Sequence, residues 1–467
     1  MNEPIRDVVV LLPGIGGSVL QRDGKDVWAF SPGAAVRGLL SLGGDIKKLR
    51  LDDDPVDADD LGDGITAPRL MPDLHTIPGL WKIDGYARIS SRIRQQLGVT
   101  AGQNYFEFAY DWRRDNRVSA RRLARLSQGW LKAWRQSSGN DGAKLVLVAH
   151  SMGGIVARIY LELMDGWRDT RALITFGTPF GGSVNALEFL VNGFTKKIGP
   201  FSLDLSNMLR SFTAVYQLLP VFRCLETPGG LVRLADQGSL PNVDNAKMHD
   251  AMTVHAAVRA RVDDNRSTNY EDTGGYDLRP LVGDFQQTRQ SARLDEQKLV
   301  ALTSRNGKDE GGDGTVPKLS AVPHELLPTW GNSAFYAEVH ASLQNFDPVL
   351  AQLASLLRGL GIDTDGYYAV NARLSVTVED LYLVDEPIVV RARPEFPVPG
   401  LEAVVTSVAT GQVVARVPLR SDVDDWLAAE VSPLPPGDYR LTVTALAGAV
   451  PVTDVFAVVD PTLLPGG

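Results

Sequence analysis

Apolar runs of five or six residues recur through the first 340 positions: VVVLL (8–12), YFEFAY (105–110), LVLVA (145–149), ALITF (172–176), LVALT (299–303) and FYAEV (335–339). They are rich in β-branched residues and show little polar alternation, the pattern of strands covered on both faces. Between them the apolar period lengthens. Val118, Leu123, Leu126, Trp130, Leu131 and Trp134 recur every one to five positions among Arg and Lys, and Ile155, Val156, Ile159, Tyr160 and Leu163 form one helical stripe. Strands alternating with amphipathic helices predict βαβ units and a mostly parallel sheet.

Two stretches break that rhythm. Residues 22–84 are loop-rich and carry the acidic run LDDDPVDADDLGDG (51–64), which fits no Ca²⁺-loop spacing and reads as a solvated loop. Residues 190–275 are too long for a crossover and predict a helical cap or lid insertion. Within it, residues 194–222 read as helices without a sheet strand. Phe194, Phe201, Leu205, Leu209, Phe212, Leu218 and Phe222 supply apolar surface there that reads as lining a pocket or touching a membrane surface transiently, with plain packing inside a buried cap as the alternative. From residue 372 the helical pattern stops. Seven short runs separated by turns such as PVPG and LPPGD predict a C-terminal Ig-like β-sandwich over 372–467, joined by GLGIDTDGYYAV (359–370) to an α/β unit of residues 1–362. That unit is expected to fold alone.

Composition narrows the function. With 47 Lys+Arg against 56 Asp+Glu, the net charge of −9 argues against nucleic acid as a partner. A single cysteine, Cys224, excludes an internal disulfide and a cysteine metal cluster. The N-terminus MNEPIRD lacks a basic signal region, and no run approaches the roughly 20 apolar residues of a membrane helix. A cytoplasmic location is the expectation.

The chemistry centres on LVLVAHSMGGIVARIYLE (145–162), where a buried strand runs into Ala149-His150-Ser151-Met152-Gly153 and a helix follows at once. This is a nucleophile elbow, G-x-S-x-G with Ala at the first position; it lifts the Ser151 hydroxyl off the sheet and aims the Met152 amide at the same space. A nucleophilic serine needs an oxyanion hole, an acid and a histidine. The glycine-rich turn LPGIGG (12–17) follows the first strand and offers the Ile15 amide; it lacks the G-x-G-x-x-G spacing of a dinucleotide loop. In an α/β-hydrolase the acid and the base follow the serine. Asp313, flanked by glycines in GGDGTVP, is the predicted acid, with Asp309 and Glu310 as alternatives. His340, after FYAEV, is the predicted base, with His324 as the alternative. The ring of His150 is expected to pack. Asp111 and Arg113 of YDWR are expected to brace loops.

The ordered motifs LLPGIGGS, YDWR, AHSMGG, GTPFGGS, GDGTVP and EVHASL resemble the lecithin:cholesterol acyltransferase family of α/β-hydrolases, which includes phospholipid:diacylglycerol acyltransferases and lysosomal phospholipase A2. The resemblance covers about residues 6–358. It implies Ser151 as nucleophile, Asp313 as acid, His340 as base and Ile15 and Met152 as oxyanion donors, and it leaves Trp28 between simple packing and meeting the scissile acyl group. It implies acyl transfer from a lipid ester to an alcohol or to water, without metal or organic cofactor. A non-lipid carboxylesterase and a hydrolase-fold binding scaffold are the alternative functions. The resemblance says nothing about the β-rich C-terminus, which is left free to bind a partner of unknown kind.

Overall fold

The run Val8–Leu12 (β1) is buried at every position: parallel neighbours pair with it on both sides, and helices cover both faces of the sheet. In the computed structural model it belongs to a six-stranded sheet with Tyr105–Glu107 (β2), Leu145–His150 (β3), Thr170–Phe176 (β4), Asp277–Gly283 (β5) and Ala334–Tyr336 (β6), in the order β6-β5-β4-β3-β1-β2. All five pairings are parallel. The structure describes residues 5–28, 49–72, 75–77, 81–198, 201–268, 270, 275–357, 373–398, 400–423, 425–445 and 449–460.

Helices cover this sheet. They include Ala87–Leu97 (α1), Asn116–Ser138 (α2), Met152–Leu163 (α3), Val184–Asn192 (α4), Asn245–Thr268 (α5) and Asp347–Leu357 (α6). Asp115 caps α2 by accepting the Arg117 amide, and Gly139 in the left-handed conformation ends it. The apolar stripe of α2, with Val118, Leu123 and Leu131, is buried, whereas α3 is buried nearly all round, its Arg158 and Glu162 included, because it lies between α2 and α5. Among the described residues no helix is long and apolar enough to cross a membrane.

Four sequence expectations are revised. Most of LVALT lies in Lys298–Leu302, outside the main sheet, pairing antiparallel with Ser291–Asp295; the sheet strand before Asp313 is instead β5, whose Pro280 disguises it because proline cannot donate to a ladder. FYAEV forms a strand only to Tyr336, since the Glu338 amide turns back to the Tyr336 carbonyl. In the cap, Thr195–Ile198 and Phe201–Asp204 pair as a β-hairpin, followed by the short helices Ser206–Ser211 and Thr213–Tyr216. The acidic run is not merely solvated. Asp63 pairs with the fully buried Arg113, Asp54 with Arg114, and Asp59 with Arg125, so the arginines at and near the start of α2 hold it down.

The C-terminal residues form two sheets. One joins the strands Leu374–Thr377, Ile388–Pro394, Leu427–Val431 and Arg420–Ser421; the other joins Leu381–Leu383, Val452–Val459, Gly437–Ala445, Leu401–Ser407 and Val413–Pro418. Pairing is antiparallel except between Leu381–Leu383 and Val452–Val459. Alternate side chains such as Ile388, Val390, Ala403, Val405, Leu441 and Phe456 enter one shared core. Val339, from the first part of the chain, is buried in that same core. The expected linker falls within 358–372, outside the described residues.

Candidate active site

Ser151 sits at the sharp turn between β3 and α3 with φ 51° and ψ −126°, a conformation costing roughly 1–3 kcal/mol for a residue with a side chain. Close packing imposes it. A Cβ on Gly153 would come within 2.5 Å of the Pro13 carbonyl oxygen, and one on Gly14 within 2.8 Å of the Ser151 Cβ. These two glycines let the β1 loop lie directly against the serine. The Ser151 amide donates to the Phe176 carbonyl at 2.9 Å, and Thr178 Oγ1 donates to the Ser151 carbonyl at 2.9 Å. The backbone around the hydroxyl is thus fixed from β4.

The structure brings Ser151, His340 and Asp313 into one hydrogen-bonded line. His340 Nε2 lies 3.0 Å from Ser151 Oγ, and His340 Nδ1 lies 2.7 Å from Asp313 Oδ2. The second carboxylate oxygen of Asp313 accepts the amides of Thr315 at 2.9 Å and Val316 at 2.7 Å, so the buried carboxylate is aimed by its own turn. The His340 amide donates to the Asp313 carbonyl at 2.8 Å, tying the two loops together. Among the described residues no acceptor meets the amides of Ile15 or Met152, and Ile15 lines the same cavity as Ser151. Chemically, the line can draw the proton from a serine hydroxyl at the wall of that cavity.

The alternatives are placed elsewhere. Asp309 accepts from the Gln290 amide group at 2.5 Å, and Glu310 pairs with Arg305 at 3.1 Å. His324 is held between Asp263 at 2.9 Å and Glu325 at 3.1 Å. Trp28 packs: it is fully buried, donates to the Gly16 carbonyl and lies against Trp112. Asp111 braces Arg113 as expected, at 2.6 Å. Among the described residues no group of three or more His, Cys, Asp or Glu could hold a metal ion.

His150 does more than pack. The Gly14 amide donates to the Tyr86 hydroxyl at 2.8 Å, Tyr86 meets His150 Nδ1 at 2.8 Å, and His150 Nε2 meets the His340 carbonyl at 3.2 Å. The carbonyl only accepts, so Nε2 carries the proton and Nδ1 accepts from the phenol. Burial, reinforced by the neighbouring His340, pushes the His150 pKa down to about 3 and keeps the ring neutral. Tyr86 carried no sequence signal, since it lies 64 residues from His150.

The cavity in front of Ser151 measures about 400 Å³. Ala186 and Phe189 of α4 and Val215 and Leu218 of the cap supply apolar walls. Phe194, Leu205, Leu209 and Phe212 are instead buried in the core, so most of the surface expected for a lid serves packing. An unforeseen wall comes from Val376, Thr377 and Val378 of the C-terminal sheets, with Asp380 and Asp454 beside them. Lys82 Nζ meets Asp380 at 2.6 Å and Asp454 at 3.1 Å. Burial alone would depress its ammonium, but the two carboxylates outweigh that and hold it protonated. Gln286 brackets the same strand by donating to the Leu374 carbonyl and accepting the Val376 amide.

A parallel sheet with a serine at a strand–helix turn, followed in the chain by an acid and then a histidine in its loops, is the layout of the α/β-hydrolase class. The model of the family described as Lecithin:cholesterol acyltransferase matches residues 81–322, more than half of the chain, and the chain belongs to that family. It is 30% identical over 129 residues to the human lysosomal phospholipase A and acyltransferase, a match covering 26% of this chain and 30% of that protein. The chain therefore spans less than a third of that relative's length. Among solved structures it is similar to the propeptide form of the Bacillus licheniformis lipase BlEst2 (12% identity, TM-score 0.31, covering 98% of this chain and 94% of that one). It is also similar to the phospholipase PlaB from Legionella pneumophila (10% identity, TM-score 0.27, covering 98% and 97%).

Proposed function

We propose that the chain transfers acyl groups from lipid esters through an acyl-enzyme on Ser151. The observation that carries this reading is the hydrogen-bonded line from Ser151 Oγ through His340 to Asp313. In the proposed reaction Oγ attacks the ester carbonyl while His340 Nε2 takes its proton, and Asp313 holds the Nδ1–H and stabilises the imidazolium. The amides of Ile15 and Met152 receive the developing oxyanion. His340 then returns the proton to the departing alcohol. Water or a second alcohol, deprotonated by His340 in turn, releases the acyl chain. Membership of the family and the apolar walls from α4 and the cap support a lipid acyl group.

The same reading divides the chain into a hydrolase unit to residue 362, with its cap at 190–275, and an Ig-like β-sandwich over 372–467. The shared core of the two C-terminal sheets supports the sandwich. Any contact of the 194–222 segment with a lipid surface belongs to this proposal.

Incubation with phosphatidylcholine vesicles, with and without a long-chain alcohol, tests the reading. Fatty acid alone assigns water as acceptor, and fatty ester of the added alcohol assigns transfer. Intact phospholipid in both mixtures, from a folded protein, rejects the lipid reading.

A further inference from the structure

A second cavity, of about 340 Å³, lies against α3 and α5 and shares no lining residue with the one at Ser151. Its floor is aliphatic, with Ile155, Ile159, Val254, Val258 and Val322. Among the described residues five arginines line it, and no aspartate or glutamate does. Two of the five are already satisfied: Arg158 pairs with Glu325 at 2.5 Å, and Arg305 with Glu310 at 3.1 Å. Their guanidinium groups stand 5.9 Å from the rings of Phe180 and Phe222, which also line the cavity.

Arg223, Arg233 and Arg259 are different. All three are exposed, and among the described residues none has a carboxylate partner. In a chain of net charge −9, acids are in excess, and exposed arginines such as Arg69, Arg88 and Arg171 find one. Three unneutralised guanidinium groups around an aliphatic cleft favour a ligand with negative charge at one end and hydrocarbon at the other. The volume suits a small molecule and is too small for a protein helix. A polyanion would leave the floor unfilled, and a neutral lipid would leave the arginines without a partner.

We propose that this cavity binds an anionic amphiphile, an aliphatic chain carrying a carboxylate head. The chain lies on the valine–isoleucine floor, and the head takes charge-assisted hydrogen bonds from Arg223, Arg233 and Arg259. This site is separate from the Ser151 chemistry and does not depend on how that chemistry is read.

Isothermal titration with decanoate, decanol and inorganic phosphate tests it on the full chain. Decanoate should bind at least tenfold more tightly than either of the other two. The Arg223→Ala/Arg233→Ala/Arg259→Ala variant, altered only at exposed positions, should keep its melting temperature and lose at least tenfold in decanoate affinity. Ala186→Trp, which fills the Ser151 cavity, should leave that affinity unchanged. Decanoate binding that survives the triple change, or that disappears with Ala186→Trp, overturns the proposal. So does inorganic phosphate that binds as tightly as decanoate, because the aliphatic floor would then contribute nothing.

Discussion

The ring of His150 lies 5.1 Å from that of His340, centroid to centroid, and its Nε2 meets the His340 backbone carbonyl at 3.2 Å. The residue preceding Ser151 therefore holds the loop that carries His340. Through Tyr86 the same ring reaches the Gly14 amide, so one neutral histidine connects the loops on both sides of the serine.

Tyr86→Phe removes the phenol that accepts from Gly14 and donates to His150 while keeping the ring in place. A buried hydrogen bond contributes about 1–1.5 kcal/mol, so loosening this connection should lower kcat roughly tenfold with KM nearly unchanged. Steady-state kinetics on a soluble ester read the split. Wild-type kcat in a folded variant would show that the connection does not position the loops.

His150 also gives a signed pH effect. Its folded pKa of about 3 is below the ordinary 6.5, so between those values the unfolded chain binds a proton that the folded one refuses. Its contribution is fully present above about pH 6.5 and is lost as pH falls toward 3. Urea unfolding of wild type and His150→Gln should give a stability difference that shifts against wild type as the pH falls from 7 to 4.5, by up to about 1.4 kcal/mol per pH unit. A difference independent of pH would contradict the buried, neutral ring. The variant comparison is needed because buried Glu338, pushed well above the carboxylate range by desolvation, acts in the opposite direction.

The competing acids and histidines separate by kinetics. His340→Ala and Asp313→Asn should each reduce kcat by roughly 10⁴-fold, and adding either to Ser151→Ala should cost little more than Ser151→Ala alone. His324→Ala and Asp309→Asn should stay within a few-fold of wild type, because each is bonded to other partners. A dead His324→Ala beside an active His340→Ala would reverse the assignment of the base.

Ending the chain at residue 362 should be damaging, contrary to what the sequence pattern suggests. Arg440 pairs with buried Asp84, the Thr453 amide donates to buried Glu338 at 3.2 Å, and Val339 beside His340 is packed in the C-terminal core. Truncation strands these groups and opens the cavity wall at 376–378. The shortened chain should melt at a lower temperature and lose most of its activity even on a soluble ester. Wild-type melting and turnover would establish an independent hydrolase unit.

What was legible in the sequence follows from locality. The residues flanking Ser151 are constrained by one strand–turn–helix, and Asp313 and His340 stand out by chain order and glycine content, so short segments carried that information. β5 was hidden by Pro280, and the outlying strand Lys298–Leu302 looked like a sheet member because its apolar run has the same length. The Tyr86–His150 contact and the wall at 376–378 join residues 64 and more than 200 positions apart, and no local pattern encodes such meetings. The acidic run looked solvated because its arginine partners are distant in sequence.

The central claim is that Ser151 is the nucleophile, and phosphonylation tests it most directly. Intact-mass spectrometry after treatment with a fluorophosphonate ester should show one adduct on the wild-type chain, mapped to the peptide containing Ser151, and none on a folded Ser151→Ala variant. Labelling that persists in Ser151→Ala, or a folded wild-type chain that takes up no label, would contradict the account.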